Sequence, residues 1–370
     1  MADTPIAGAR VPHPIRNRAT HAAHALSSIG QARAAGSDTR PPARWAGFAL
    51  IAAMALAPAG ARAASPSAAD AALQLADALY PGELEVHDTH LRKGYVEVVL
   101  APKGDPVTRI RLAMDPDPAD CRLGTPCETR LRRAYAQGNA QGQEMRTLEA
   151  AFRACGMPIL AVEEPGSAAF YTPVLHASLT QDKRQQVTQD VAACAAEFRA
   201  QAQDQPWWAT RTGMRVLLTD AVATPPAPLT VDAAVPAAWQ RAPAYAAIVA
   251  FDATGATVRE LAFAPWRAFT AQMQETITTA TDRFLRRERG DIQRETVPTL
   301  RQTRLVPDNV DVVSTYLLAC TPAARRGERC LRGDVALDVR YDVRKDSVIE
   351  IRRVPFERDR LGSPELPARP

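Results

Sequence analysis

The strictest pattern of apolar and polar positions lies near the end of the chain. Val335, Leu337, Val339, Tyr341 and Val343 alternate with Asp334, Ala336, Asp338, Arg340 and Asp342, the two-residue period of a strand with one buried and one wet face. Residues 344–347 turn and 348–354 return, which predicts a hairpin with its charged side open to water. The same signal recurs earlier. YVEVVL at 95–100 is a strong strand run; Thr108, Ile110, Leu112 and Met114 share one face with Arg109 and Arg111 on the other. Shorter strands are expected at 157–162, 174–179 and 214–219. Residues 245–251 and 257–263 flank the turn Asp252-Ala253-Thr254-Gly255 as a further hairpin, and 310–319 forms another strand.

Helical periods separate these runs. Residues 68–80 make a short Ala/Leu helix stopped by Pro81-Gly82. Met145, Leu148 and Phe152 form the apolar stripe of a helix over 128–154, weakened at Gly138 and Gly142, with Gly156 beyond its end. Thr180 is placed to cap a helix over 181–203, on which Val187, Val191, Cys194 and Phe198 share a face. A last helix starts near Pro265 with Trp266, Phe269, Met273, Ile277, Ala280 and Phe284 as its stripe. Strand pair then helix occurs at 95–155 and at 245–289, with a looser copy at 157–203. The order implies an α+β fold: antiparallel sheets with helices packed on one face, built from repeated β-β-α units.

Residues 223–237 carry four prolines among small residues, a linker composition. It divides an α+β domain at 64–222 from a second at 244–370, with 223–243 between them. Upstream, residues 1–43 lack apolar periodicity and read as a disordered leader or an over-extended start. Residues 44–63 read as a signal peptide: Arg40 and Arg44, an apolar run from Trp45 to Ala57, Pro58 and Gly60, and Ala61-Arg62-Ala63 ahead of Ala64. The run is shorter than the roughly 20 residues that span a bilayer, so no membrane span is expected after cleavage.

That cut changes the charge. The formal value is +4, but residues 1–63 hold seven arginines and two aspartates, which leaves 38 basic against 39 acidic groups. A near-neutral chain gives no electrostatic case for nucleic acid. Only Lys93, Lys103, Lys183 and Lys345 represent lysine; with abundant Arg and Ala this resembles the bias of a GC-rich bacterial genome.

Export makes the six cysteines disulfide candidates. Proximity pairs Cys121 with Cys127 and Cys320 with Cys330, leaving Cys155 for Cys194. Zinc is disfavoured because paired C-x-x-C spacing is missing, and no metal or other cofactor is expected.

Candidate chemistry is sparse. His87 and His90, beside Asp88, and His176 are the imidazoles of the exported part, and each can serve as base or ligand. On a regular strand His87 and His90 face opposite ways. Asp115, Asp117 and Asp120 lie in a loop stiffened by two prolines, a poor calcium loop. Glu163-Glu164 reads as a strand end. Trp207-Trp208 reads as packing against the preceding helix, and Arg332-Gly333-Asp334 as a coincidence. Arg283, Arg286, Arg287 and Arg289 complement a helix C-terminus, with Asp282 and Glu288 interleaved against an anion site. No G-x-S-x-G, H-E-x-x-H, phosphate loop or C-x-x-C motif occurs. The sequence therefore favours a periplasmic or secreted binding protein for a protein or envelope component, leaning away from an enzyme. A protector against a secreted toxin is one version that no residue selects. The alternative is a periplasmic hydrolase using His87, His90 or His176 with nearby carboxylates. Oligomeric state is left open.

Overall fold

The computed structural model describes residues 67–367, apart from 116–124, 164–170, 210, 222–228, 231–234, 289–291, 328 and 361. The expected leader and signal peptide lie outside the described residues, as does most of the Asp115–Asp120 loop. No helix among the described residues is long and apolar enough to cross a membrane.

The first layer begins with helix α1 (Ala68–Leu79). Ser67 caps it: its hydroxyl oxygen accepts from the Asp70 backbone N–H at 3.2 Å while the Asp70 carboxylate accepts from the Ser67 N–H, a capping box. Strands β1 (Leu84–Arg92), β2 (Tyr95–Pro102) and β3 (Ile110–Met114) follow as an antiparallel meander. The register of β1 slips between Val86 and Asp88, so His87 is an extra residue in a bulge. Leu84, Leu100, Ile110, Leu112 and Met114 pack under α1 and the first half of helix α2 (Cys127–Ala154), which supplies Leu131.

The second half of α2 belongs to another core. Met145, Leu148, Ala151 and Phe152 join Val191, Cys194 and Phe198 of helix α3 (Arg184–Ala202). Both helices cover one face of a sheet of β4 (Ile159–Glu163), β5 (Thr172–His176), β6 (Gly213–Thr219), β7 (Ala244–Phe251) and β8 (Ala256–Phe263), in that order. All its pairs are antiparallel except β5 with β6, which α3 connects as a crossover must. The expected cap at Thr180 gives way to a turn closed by the Lys183 N–H on the Thr180 carbonyl, and the helix starts three residues later than its apolar period suggests. Strands β6 and β7, on either side of the Pro/Ala-rich residues 223–243, pair from Gly213↔Ala250 to Thr219↔Ala244. Trp239, from that segment, packs with Trp266 on the sheet's other face over Val174, Leu217 and Ala246.

Helix α4 (Arg267–Arg287) opens the third layer. Its buried residues are Phe269, Met273, Ile277, Thr281 and Leu285, in place of the expected Ala280 and Phe284 at the end of the stripe. It covers one face of a sheet ordered β10 (Arg301–Val306), β11 (Asn309–Cys320), β12 (Val335–Asp342) and β13 (Ser347–Pro355), with short β9 (Gln293–Arg294) pairing the end of β11. Two-residue strands β14 (Glu357–Arg358) and β15 (Pro364–Glu365) close the tail. The architecture is thus α+β, with helices on sheet faces and a strand pair before each of α2, α3 and α4. One expectation fails: the charged face of β12 is not open. Ala336 is 0 % and Asp338 8 % exposed, because Tyr316, Leu318, Val354, Phe356 and Leu366 form a second cluster over it.

Candidate ligand-binding groove

The cysteines define the rigid frame. Cys155, just past α2, is bonded to Cys194 of α3, and Cys320 at the end of β11 to Cys330, with Cα atoms 5.5 and 5.6 Å apart. Cys127 is also disulfide-bonded, and Cys121, its expected partner, lies outside the described residues.

The histidines do not assemble. The His87 bulge shifts the register, so Asp88 and His90 share a face and approach to 3.3 Å (Oδ2 to Nε2) on an exposed strand. His176 is on β5 in a different sheet, its Nδ1 3.1 Å from the Ala221 carbonyl oxygen. Among the described residues no group of three or more His, Cys, Asp or Glu is placed to hold a metal ion. Glu163 pairs with Arg215 at 3.2 Å. Asp334 caps the turn after β11, accepting from the Thr321 backbone N–H and hydroxyl. Trp207 and Trp208 pack on Phe198, centroids 6.2 and 5.5 Å apart, as packing against α3 requires.

An ion pair that spacing does not reveal lies beside them. Glu144 of α2 and Arg211 are both buried, 2.5 Å apart, and Glu144 also accepts from the Tyr171 backbone N–H at 3.1 Å. The Arg211 guanidinium lies 5.3 Å from the Phe198 ring and 5.6 Å from Trp208. Burial pushes the Glu144 carboxyl above its ordinary range, and Arg211 opposes that shift. The pair holds α2 to the segment between α3 and β6.

A shaped opening lies on the outer face of the third sheet, a groove of about 360 Å3. Register builds it in three rows. Arg304, Ser314, Arg340 and Glu350 stand side by side across β10 to β13; Tyr316, Asp338 and Arg352 form the next row; Leu318, Ala336 and Val354 the third. The tail covers the third row, where the Tyr316 hydroxyl donates to the Pro367 carbonyl at 3.1 Å. Leu305, Val306 and Pro307 wall the other side. One groove therefore runs from a guanidinium-rich end to an apolar end.

Its charges are unevenly committed. The Ser314 hydroxyl donates to Asp338 at 2.8 Å and Arg352 to the other Asp338 oxygen at 2.9 Å. Arg340 and Arg352 share Glu350, at 3.4 and 3.3 Å. Arg304 is exposed and makes no ion pair or side-chain hydrogen bond among the described residues. No histidine or lysine lines the groove to take the Ser314 proton. The arrangement suits recognition of a carboxylate flanked by apolar groups. No sequence signal marks it, because its residues come from four strands and the tail. Compared with protein families, curated proteins and solved structures, the chain matches none.

Proposed function

We propose that this chain is an exported binding protein, periplasmic or secreted, that engages a protein or envelope component through the groove on the third sheet without doing chemistry on it. The observation that carries this reading is the groove itself, with Arg304 lacking a described counter-ion at one end and an apolar wall beside it. The disulfides and the secretory pattern at 44–63 support the compartment. An acidic residue flanked by apolar side chains is the partner feature that fits.

The test is affinity capture from an envelope extract by the mature chain. Arg304→Glu and Val306→Asp are compared with Arg259→Glu, an exposed residue of β8 remote in sequence from the groove strands. A partner held by the wild type and by Arg259→Glu but lost from both groove variants supports the reading. Equal capture by all four proteins, or full-length chain with free thiols in the cytosol, would overturn it.

A further inference from the structure

A second cavity, of about 300 Å3, lies between the last turn of α4 and the disulfide-closed loop 320–330, and shares no lining residue with the groove. We propose that it is an anion site that receives the phosphate of a phosphorylated small molecule or headgroup.

The floor is apolar, from the buried side chains of Leu285 and Ile292. Arg286, Arg294 and Arg325 line it against a single carboxylate, Asp282. In the sequence, Asp282 and Glu288 interleave with the arginines of the helix end and look like their counter-ions. The fold assigns these acids elsewhere. Asp282 gives both oxygens to Arg294 of β9, at 2.8 and 3.2 Å, and Glu288 pairs with Arg353 of β13 at 2.7 Å. Arg286 is left exposed, with no ion pair or hydrogen bond among the described residues.

Arg294 also retains capacity. A guanidinium has five N–H groups; Nε and one N–H on the second nitrogen serve Asp282, and one serves the Glu295 carbonyl at 3.0 Å. Two remain. Arg325 comes from the other side, just after the one-turn helix Pro322–Ala324 that follows β11, within the loop closed by Cys320–Cys330. The end of α4 carries about half a negative charge from its dipole, which the Arg286 cation outweighs. Guanidinium forks match phosphate oxygens in pairs. The volume is at the small end for organic ligands; it holds a phosphate with a few carbons laid on Leu285 and Ile292.

The experiment measures binding to the mature, oxidised chain by calorimetry, using inorganic phosphate and glycerol 3-phosphate, and by flotation with phosphatidic acid or phosphatidylcholine vesicles. Phosphate ligands are expected to bind, to weaken with added salt, and to weaken at least tenfold in Arg286→Ala and in Arg325→Ala but not in Arg259→Ala. Binding of glycerol 3-phosphate without flotation assigns the site to soluble phosphate esters. Flotation with phosphatidic acid alone assigns it to a headgroup. No binding in any arm, or binding undiminished in both cavity variants, overturns the proposal.

Discussion

Glu144 and Arg211 show what a buried charge requires. Each alone in this apolar setting would cost several kcal/mol; together, with the Tyr171 N–H and the surrounding rings, they are tolerated. Glu144→Gln removes the carboxylate that faces the buried Arg211 cation and is expected to destabilise the fold by about 3–5 kcal/mol, read from urea unfolding. Glu144→Leu combined with Arg211→Met is expected to recover most of that loss; equal destabilisation of single and double variants would show that the pair is not the cause. Asp346 makes the pH-dependent case. It sits at φ 46° in the turn between β12 and β13. Burial pushes its carboxyl up, but hydrogen bonds from the Tyr341 hydroxyl, Gln272 and Thr276 outweigh this and hold it below its ordinary value. The unfolded chain therefore takes the proton first as pH falls. The stabilisation is complete above about pH 4, the ordinary carboxylate value, and is lost as pH falls toward the folded value. Asp346→Asn, which tolerates the same positive φ, is expected to be less stable at pH 7 and to lose less stability between pH 5 and pH 2. Parallel acid-unfolding curves for the two proteins would exclude the mechanism.

Helix α2 carries the strongest element-scale argument. Gly138 and Gly142 look like weak points in a helical period, each costing about 1 kcal/mol relative to Ala. The fold uses them as the place where β3 and the segment before it meet the helix backbone. A methyl group at Gly138 would come within 2.6 Å of the Arg109 carbonyl oxygen, and one at Gly142 would strike Thr108. Gly138→Ala and Gly142→Ala are expected to destabilise by about 1–2 kcal/mol, overpacking exceeding the propensity gain; a rise in stability would mean that the segment yields freely. The Cys155–Cys194 bond joins the same helix to α3 across a separation of 39 residues. Replacing both by Ser is expected to cost about 3–4 kcal/mol in the chain-entropy account, seen as a lower calorimetric melting temperature and insensitivity of that temperature to reductant at this site. Elements such as α2, α4 and the β7–β8 and β12–β13 hairpins were legible because one face of each follows a single period. Strand β10, RQTRLV, was not, since its residues are mostly half-exposed at a sheet edge. The His87 bulge and the β5–β6 parallel pair were also hidden: the bulge depends on the register taken within the β1–β2 hairpin, and the parallel pair and both cavities depend on partners distant in sequence. The proline-rich stretch lies between the paired strands β6 and β7, and composition does not say whether the chain is leaving a domain or crossing to the next strand of the same sheet.

Residues 63–370 cluster as one compact unit, and two devices connect its layers. One is α2, whose first half packs in the core of the first sheet and whose second half packs in that of the second. The other is Arg344, in the turn after β12. It reaches out of the third sheet to donate to the Leu179 carbonyl, pairs with Asp220 at 2.9 Å, and binds Asp311 at the start of β11. Asp220 in turn accepts from the Leu179 N–H at 3.2 Å, and the buried Tyr245 of β7 donates its hydroxyl to the Val310 carbonyl at 3.1 Å. The second and third layers thus meet through a small polar junction next to apolar contacts among Phe263, Leu305 and Val310. The Arg344 side chain is 32 % exposed, so solvent screens its ion pairs and each is worth little alone. Its bond to a buried carbonyl and its place between two carboxylates raise the expected loss in Arg344→Met to about 2 kcal/mol. The location of the loss is the informative readout. If the junction couples the layers, amides of β11 to β13 in the variant exchange with solvent at a lower opening free energy than those of β5 to β7, whereas in the wild type the two sets open together. Uniform acceleration across both sheets would instead mean that the apolar contacts bind the layers and that Arg344 contributes only local stability.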